Sequence, residues 1–227
     1  MASKKAKQQD VFGSEEEKLA YYTARWRCRS DLQYLCYEVL NMPDLAPDKI
    51  SDCHKTMIKT FKDTRYGHRT RLLLDPRGHL KSSIYTVGGM IQNILRTHGV
   101  FRDQERELIP EAGEEWRQAL GSWDLRTAQE QLGHIRKQLE QNERLKILFP
   151  DIFYQDPMSS GRAKGFSWGK DSITVMRKMS VNTPTIMAFS IQSLPTGFHF
   201  NRICLDDMVT KENVNTKDDH RSPSRNE

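Results

Sequence analysis

The stretch Leu72–Ser83 constrains the fold of this chain more than any other segment. It begins with three consecutive leucines, passes through a Pro-Arg-Gly turn signal, and ends in Lys81-Ser82-Ser83. The apolar run, extended to Arg69–Leu74, predicts a buried strand because it does not alternate with polar residues. Apolar residues then recur every three or four positions from 81 to 97, which predicts a helix. A strand, a tight loop and a helix in this order predict an α/β fold whose loop N–H groups face an anion.

The loop matches the general phosphate-binding pattern only in part. Lys81 is placed to reach the β- and γ-phosphates of a nucleotide, and the Ser82 hydroxyl is placed to bind Mg²⁺. Gly78 is retained, but Asp75 and Leu80 stand where the pattern has glycines. The alternative interpretation is an ordinary strand–turn–helix connection in which Pro-Arg-Gly only forms the turn.

A second candidate element lies near the end of the sequence, where the predicted strand Arg202–Asp206 is followed by Asp207. A nucleotide-bound Mg²⁺ is commonly held by a carboxylate at the end of a buried strand. Two adjacent carboxylates after an apolar strand are unfavourable unless a cation binds them. The alternative is a solvated strand end.

These two segments resemble the Walker A and Walker B motifs of phage terminase large subunits, the ATPases of DNA-packaging motors. The similarity is carried by 76–83 and by Ile203–Val209, and more weakly by Asn142–Asp151 and Gly197–Phe200. It extends over roughly residues 50–215, and a leucine before the lysine occurs within this family.

The resemblance implies a P-loop NTPase fold, with a mainly parallel sheet flanked by helices behind an N-terminal helical lead. It also implies ATP and Mg²⁺ as cofactors, with Lys81, Asp207 and Arg77 as catalytic residues. Asp207 would orient or deprotonate the attacking water, and Arg77 would sense the phosphates. Mg²⁺ would be held by Ser82 and Asp206. The nucleotide-binding residues would be Arg77, Gly78, His79, Leu80, Lys81, Ser82 and Ser83.

The same resemblance implies double-stranded DNA, a portal protein and a terminase small subunit as partners, and a homo-oligomeric ring without membrane contact. The expected location is the cytoplasm of a bacterial host infected by a phage or carrying a prophage. An arginine finger from a neighbouring subunit is also implied, with Arg126, Arg162 and Arg202 as unranked candidates. No second acidic constellation follows Asp207, so we expect no nuclease activity from this chain. Two alternatives stay open: a helicase-like or repair ATPase, and a degenerate nucleotide-binding module.

The composition is compatible with these expectations but does not by itself establish them. The chain has 227 residues with 35 Lys and Arg against 30 Asp and Glu, a net charge of +5. A mild positive charge is compatible with nucleic acid, but many other proteins share it. No apolar run approaches the roughly 20 residues of a membrane span, and the basic start lacks the apolar segment of a signal peptide. We expect a soluble protein.

The predicted organisation is a disordered segment 1–14, a helical lead 15–62, an incomplete ATPase core 63–212 and a polar tail 213–227. Cys28, Cys36, Cys53 and Cys204 form no C-x-x-C pair and are interpreted as structural thiols. His54 either stacks on a base or lies on the surface of its helix. Gly88-Gly89 indicates close packing of a helix on the sheet. Helices are predicted within 15–40, 51–62 and 81–97 and from 124 onward, and strands at 69–74, 119–123, 172–176, 185–191 and 202–206.

Overall fold

The structure, a computed structural model, describes residues 12–62, 72–73, 78–157, 159, 167–193 and 196–208. These residues form a mixed α/β fold with a four-stranded, mostly parallel sheet. The helices are α1 (Glu15–Ser30), α2 (Leu32–Tyr34), a π-helix (Leu35–Val39), a 3₁₀ turn (Pro43–Leu45), α3 (Asp52–Lys62), a second π-helix (Ser82–Gly88), α4 (Gly89–Thr97), α5 (Asp103–Leu108), α6 (Leu125–Gln141) and α7 (Glu143–Leu148). No helix among them is both long enough and apolar enough to cross a membrane.

Side-chain caps explain where several of these helices begin. The Ser14 hydroxyl accepts a hydrogen bond from the Glu17 N–H at the start of α1. The Asp124 carboxylate accepts one from the Thr127 N–H at the start of α6. Each cap satisfies an N–H group that has no partner within its own helix.

The sheet brings the ends of three parallel strands to one edge. Its strands are β1 (Gln118–Ser122), β2 (Ser172–Ile173), β3 (Ile186–Ser190) and β4 (Arg202–Leu205), arranged in the order β2-β3-β1-β4. β1 pairs in parallel with β3 and with β4, and β2 pairs antiparallel with β3. The carboxyl ends of β3, β1 and β4 therefore share one edge, the edge at which open α/β sheets bind ligands.

One face of the sheet packs against helices and the other is partly open. On the helical face, the Gln118 side chain donates to the Met90 carbonyl at 3.0 Å and accepts from Asn93 at 2.9 Å. On the opposite face, Ile203 and Leu205 remain 59% and 56% exposed. Strand residues alternate between the two faces of a sheet. The partly open face is therefore formed in part by β4, the strand that ends just before Asp206.

One buried and one partly buried ion pair join α1 to the rest of the molecule. Arg29 is fully buried and its Nη1 lies 2.8 Å from Glu105 Oε1. The Arg25 guanidinium contacts both carboxylate oxygens of Asp151, at 2.7 and 2.9 Å. Buried pairs are costly to break by removing one partner, so the helical lead is held firmly against the core.

Most predicted elements are confirmed. Helices occur within 15–40, 52–62 and 82–97 and from 125 onward, and four of the five predicted strands are present, although the one predicted at 172–176 covers only Ser172–Ile173. All four cysteines are free thiols. Predictions for 1–11 and 209–227 lie outside the described residues.

Two predictions need correction. Of the predicted strand Arg69–Leu74 only Leu72 and Leu73 are described; neither is in a strand, and Leu72 is 79% exposed. Neither pairs with a described strand, and Leu73 is half-buried against the core. The close packing at Gly88-Gly89 is real but is not on the sheet. A Cβ at Gly88 would lie 2.4 Å from Cys36 Sγ, and one at Gly89 would lie 2.6 Å from Phe61 Cζ.

Candidate functional site

The described part of the predicted phosphate loop has two residues in the left-handed region. Gly78 has a φ of 81°, and Leu80 has a φ of 55°. Leu80 thus adopts a backbone conformation that favours glycine, at a position where the general phosphate-loop pattern has a glycine. Its side chain packs against the core, and its carbonyl accepts the Ile84 N–H at 2.8 Å. The substitution of leucine for glycine therefore leaves the unusual backbone turn in place.

Lys81 and Ser82 lie where the loop becomes a helix. Ser82 begins the π-helix, and the Lys81 side chain does not cap it. The first N–H groups of a helix have no partner within the helix, and they face outward from its positive end. Short π-helical segments are rare and are found frequently at functional sites. The start of this helix therefore offers donors to an anion.

Asp206 is the buried carboxylate of the site. It follows β4, is 6% exposed, and its N–H donates to the Gly121 carbonyl at 2.9 Å. Thr86, in the π-helix that begins at Ser82, donates its hydroxyl to Asp206 Oδ2 at 2.9 Å. The π-helix thereby orients the carboxylate.

Lys81 connects the two predicted motifs. Its Nζ lies 4.0 Å from Asp206 Oδ1 and 3.8 Å from Asp207 Oδ1. The Asp207 side chain is 63% exposed and its backbone has a φ of 48°, a conformation that aspartate tolerates better than most residues. The ammonium group of Lys81 therefore lies close to one buried carboxylate, that of Asp206, and to one exposed carboxylate, that of Asp207. This arrangement provides a positive charge for an anion and two oxygen ligands for a cation.

His79 lies beside a second histidine. The rings of His54 and His79 are 6.1 Å apart at an interplanar angle of 61°. Both ring nitrogens of His54 are shielded from solvent and make no hydrogen bond within the described residues. His54 is therefore half-buried against the loop and does not project from the surface of α3.

Of Arg77 and the three arginine-finger candidates, the structure describes two. Arg77 and Arg162 lie outside the described residues. The Arg202 guanidinium donates to Asn93 Oδ1 at 3.0 Å and lies over the Phe61 ring at 4.7 Å. The Arg126 side chain is 87% exposed and pairs with Glu130 on α6. Of the two described candidates, only Arg126 projects into solvent.

Sequence reasoning overlooked Ser122, the last residue of β1. It is 2% exposed, and its hydroxyl makes no hydrogen bond within the described residues. A polar residue that ends a buried strand at the ligand-binding edge of a parallel sheet is the signal that would have identified it.

The donor set suits a nucleotide-bound Mg²⁺ better than a metal site built by protein alone. Among the described residues, no group of three or more His, Cys, Asp and Glu side chains is arranged to hold a metal ion. Mg²⁺ usually takes one or two carboxylates and completes its shell with water and phosphate oxygens. Asp206 supplies one such carboxylate, and the hydroxyl that contacts it is that of Thr86, at 2.9 Å.

Comparison of the chain with protein-family models, with curated proteins and with solved structures finds no match.

Proposed function

We propose that this chain is a P-loop ATPase that binds ATP with Mg²⁺ and serves as the motor domain of a terminase large subunit in viral DNA packaging. The observation that carries the proposal is the contact of Lys81 with Asp206 and Asp207 at 4.0 and 3.8 Å. These residues lie more than 120 positions apart in the sequence, yet they meet as a phosphate-binding lysine and a metal-binding carboxylate must.

Each residue has a role in the proposed reaction. Lys81 neutralises the β- and γ-phosphate oxygens, and the N–H groups at Ser82 and Ser83 bind them at the helix N-terminus. Asp206 and the Ser82 hydroxyl would hold Mg²⁺, which would supply positive charge to offset the negative charge of the phosphates. Asp207 orients the attacking water or takes its proton. Arg77, Gly78, His79 and Leu80 complete the loop around the phosphates.

The proposed partners follow from the motor assignment. They are double-stranded DNA, a portal protein, a small terminase subunit and further copies of this chain in a ring, in the cytoplasm of a bacterial host. An arginine donated by the next subunit contributes about 10³–10⁵ in rate in related phosphoryl-transfer systems. The isolated chain should therefore turn over slowly, and faster as its concentration rises.

One observation favours a second candidate, a module that binds nucleotide without hydrolysing it. Asp207 is 63% exposed and is shorter by one methylene than the glutamate that many ATPases use at this position. A carboxylate open to solvent orients a water less firmly. Turnover distinguishes the two candidates, because both bind Mg-ATP.

The binding test replaces Lys81 with alanine. We expect Lys81→Ala to abolish measurable ATP binding in titration calorimetry, because Lys81 is the ammonium group placed to neutralise the β- and γ-phosphates. Lys137→Ala, at an exposed position of α6, is the control and should bind as the wild type does. Unchanged ATP affinity in Lys81→Ala would refute the phosphate-loop assignment.

The hydrolysis test separates the two aspartates. Asp207→Asn should keep Mg-ATP binding and lose about 10²–10⁴-fold in turnover if Asp207 acts on the attacking water. Asp206→Asn should instead weaken the dependence of ATP binding on Mg²⁺. Wild-type turnover in both variants would show that these carboxylates are not part of an ATPase site. An Mg-ATP-binding wild type with no turnover at any protein concentration would favour the non-hydrolysing module.

A further inference from the structure

Ser122 presents a buried hydroxyl that the protein leaves unused. The residue is 2% exposed, and its Oγ makes no hydrogen bond within the described residues. Buried side-chain polar atoms have a partner in the large majority of cases, and exceptions call for an explanation. An unpartnered hydroxyl at the binding edge of a sheet points to a ligand atom as its partner.

The sheet register places Ser122 beside the candidate metal ligand. Ser190 pairs with Ser122 across β3 and β1, and Gly121 pairs with Leu205 across β1 and β4. Asp206 comes one position after Leu205, and its N–H donates to the Gly121 carbonyl at 2.9 Å. Ser190, Ser122 and Asp206 therefore form a row along the carboxyl edge of three neighbouring parallel strands.

Strand alternation directs this row toward the π-helix. Ser122 shares a sheet face with Leu120, and Asp206 shares one with Cys204. Thr86 contacts that face, since its hydroxyl lies 2.9 Å from Asp206 Oδ2 and 4.0 Å from Cys204 Sγ. The Ser122 hydroxyl thus lies on the face and at the edge where the Asp206 carboxylate is held.

The other two members of the row are already engaged. Ser190 Oγ lies 3.1 Å from Ser193 Oγ. Asp206 accepts from Thr86 and lies 4.0 Å from Lys81 Nζ. Ser122 is the member whose hydroxyl has no such bond among the described residues.

We propose that Ser122 is a positioning residue whose hydroxyl hydrogen-bonds a water in the hydration shell of the divalent cation held by Asp206. This inference rests on the proposed function and deepens it. Mg²⁺ keeps several waters when protein and phosphates bind it, and a serine hydroxyl donates to such a water or accepts from it. In the proposed site, Lys81 and the helix N-terminus bind the phosphates. The partner of the Ser122 hydroxyl on the sheet side is therefore a water bound to the cation.

The experiment compares Ser122→Ala with Ser190→Ala in the full chain. ATP affinity is measured by calorimetry with Mg²⁺ and again with EDTA, and Tm is measured without ligand. In Ser122→Ala the gain in affinity due to Mg²⁺ should fall about three- to tenfold, the equivalent of one hydrogen bond, while affinity in EDTA stays the same. In Ser190→Ala the Mg²⁺-dependent gain should be unchanged.

Thermal stability separates a ligand-binding hydroxyl from a structural one. Removing a buried, unsatisfied hydroxyl should leave Tm unchanged or raise it by about 2–4 °C. A lower Tm or a failure to fold would show that the hydroxyl has a protein partner, and would overturn the inference. Ser122→Cys, which nearly preserves the volume, should show the same loss of Mg²⁺-dependent affinity.

The outcomes for this inference and for the proposed function are distinct. If the wild type binds no ATP with or without Mg²⁺, the ATPase proposal itself fails. If the wild type shows the Mg²⁺-dependent gain and Ser122→Ala shows the same gain, only the role of Ser122 is wrong.

Discussion

At the scale of single residues, Leu80 is held in a backbone conformation that its side chain disfavours. A non-glycine residue in the left-handed region costs roughly 1–2 kcal/mol, and the φ of Leu80 is 55°. Packing of its side chain against the core and the hydrogen bond from Ile84 to its carbonyl offset that cost. Lys81 follows immediately, so the strained turn sets the position from which Lys81 reaches the carboxylates.

His98 makes the stability of the molecule depend on pH. The side chain is fully buried, with Nδ1 2.9 Å from Thr97 Oγ1. Burial lowers the pKa of the imidazole to about 3, and the nearby Arg177 guanidinium acts in the same direction. The unfolded chain binds this proton near pH 6.5. The stabilisation is therefore complete above that pH and is lost progressively as the pH falls from about 6.5 toward 3.

We expect His98→Gln to reduce the loss of stability between pH 7 and pH 5. A pKa of about 3 in the folded state and 6.5 in the unfolded state corresponds to about 2 kcal/mol over this interval. Urea unfolding at the two pH values measures the difference in the free energy of unfolding. His134→Gln, at an exposed position of α6, should keep the wild-type pH dependence. Equal pH dependence in all three proteins would contradict the assignment.

At the scale of secondary structure elements, the junction between the π-helix and α4 depends on the absence of side chains. Gly88 faces Cys36 and Gly89 faces Phe61, each so closely that a Cβ would overlap the neighbour. Helices that approach this closely transmit displacement, because a packed interior is not easily compressed. The π-helix that begins at Ser82 is therefore positioned by the N-terminal helices as well as by the sheet.

Gly88→Ala should destabilise the fold by about 1–3 kcal/mol, the usual cost of overpacking a core. Adding Cys36→Ala removes the sulfur that lies 2.4 Å from the new Cβ, so the double variant should recover part of the loss. Gly133→Ala in α6 is the control, because its Cβ would meet nothing within 4 Å. It should be neutral or stabilising by up to about 1 kcal/mol. Guanidinium unfolding of the wild type, Gly88→Ala, Cys36→Ala and the double variant gives the coupling energy, and a coupling near zero would contradict the proposed contact.

The predictable elements are those whose signals are local. The cap at Asp124 and the helical spacing of Ala128, Leu132, Ile135 and Leu139 predict α6, and all four apolar residues are buried. A lysine after a tight turn and an aspartate after an apolar strand are both local patterns, so the sequence predicts Lys81 and Asp206 as site candidates. Their side chains lie 4.0 Å apart, so the two segments meet.

The remaining features depend on residues distant in the chain. Leu72 is exposed and pairs with no described strand. A run of leucines does not specify which strands pair. The importance of Ser122 depends on its neighbours in β3 and β4, and the burial of His98 depends on the way that the chain packs around it. The left-handed backbone of Leu80 does not follow from its residue type, since leucine is not typical of such a position.

At the scale of the whole molecule, the sheet has a partly open apolar face along an edge strand. Ile203 is 59% exposed and Leu205 is 56% exposed on β4, which pairs only with β1 among the described residues. Exposed apolar side chains on an edge strand favour association with other chains. The net charge of +5 is too small to prevent contact at moderate ionic strength, where screening acts over about 10 Å.

We expect Ile203→Lys to reduce self-association of the purified chain. A charge on an edge strand is a common means by which natural proteins prevent edge-to-edge pairing. Sedimentation velocity over a range of concentrations measures the effect. Ile147→Lys is the matched control, because Ile147 is similarly exposed, at 65%, but lies on α7. Equal association of the wild type and both variants would show that the open sheet face is not the contact.

The place of Lys81 between two carboxylates also has a thermodynamic consequence for the proposed ATPase. Before any ligand binds, Lys81 is an internal counter-ion for Asp206 and Asp207. When Lys81 turns to a phosphate, it leaves two adjacent negative charges that attract a divalent cation. When a cation neutralises the carboxylates, Lys81 is released for the phosphate. Linkage makes this exchange reciprocal, so nucleotide and metal each raise the affinity for the other, and either one alone has to compete with an ion pair of the protein.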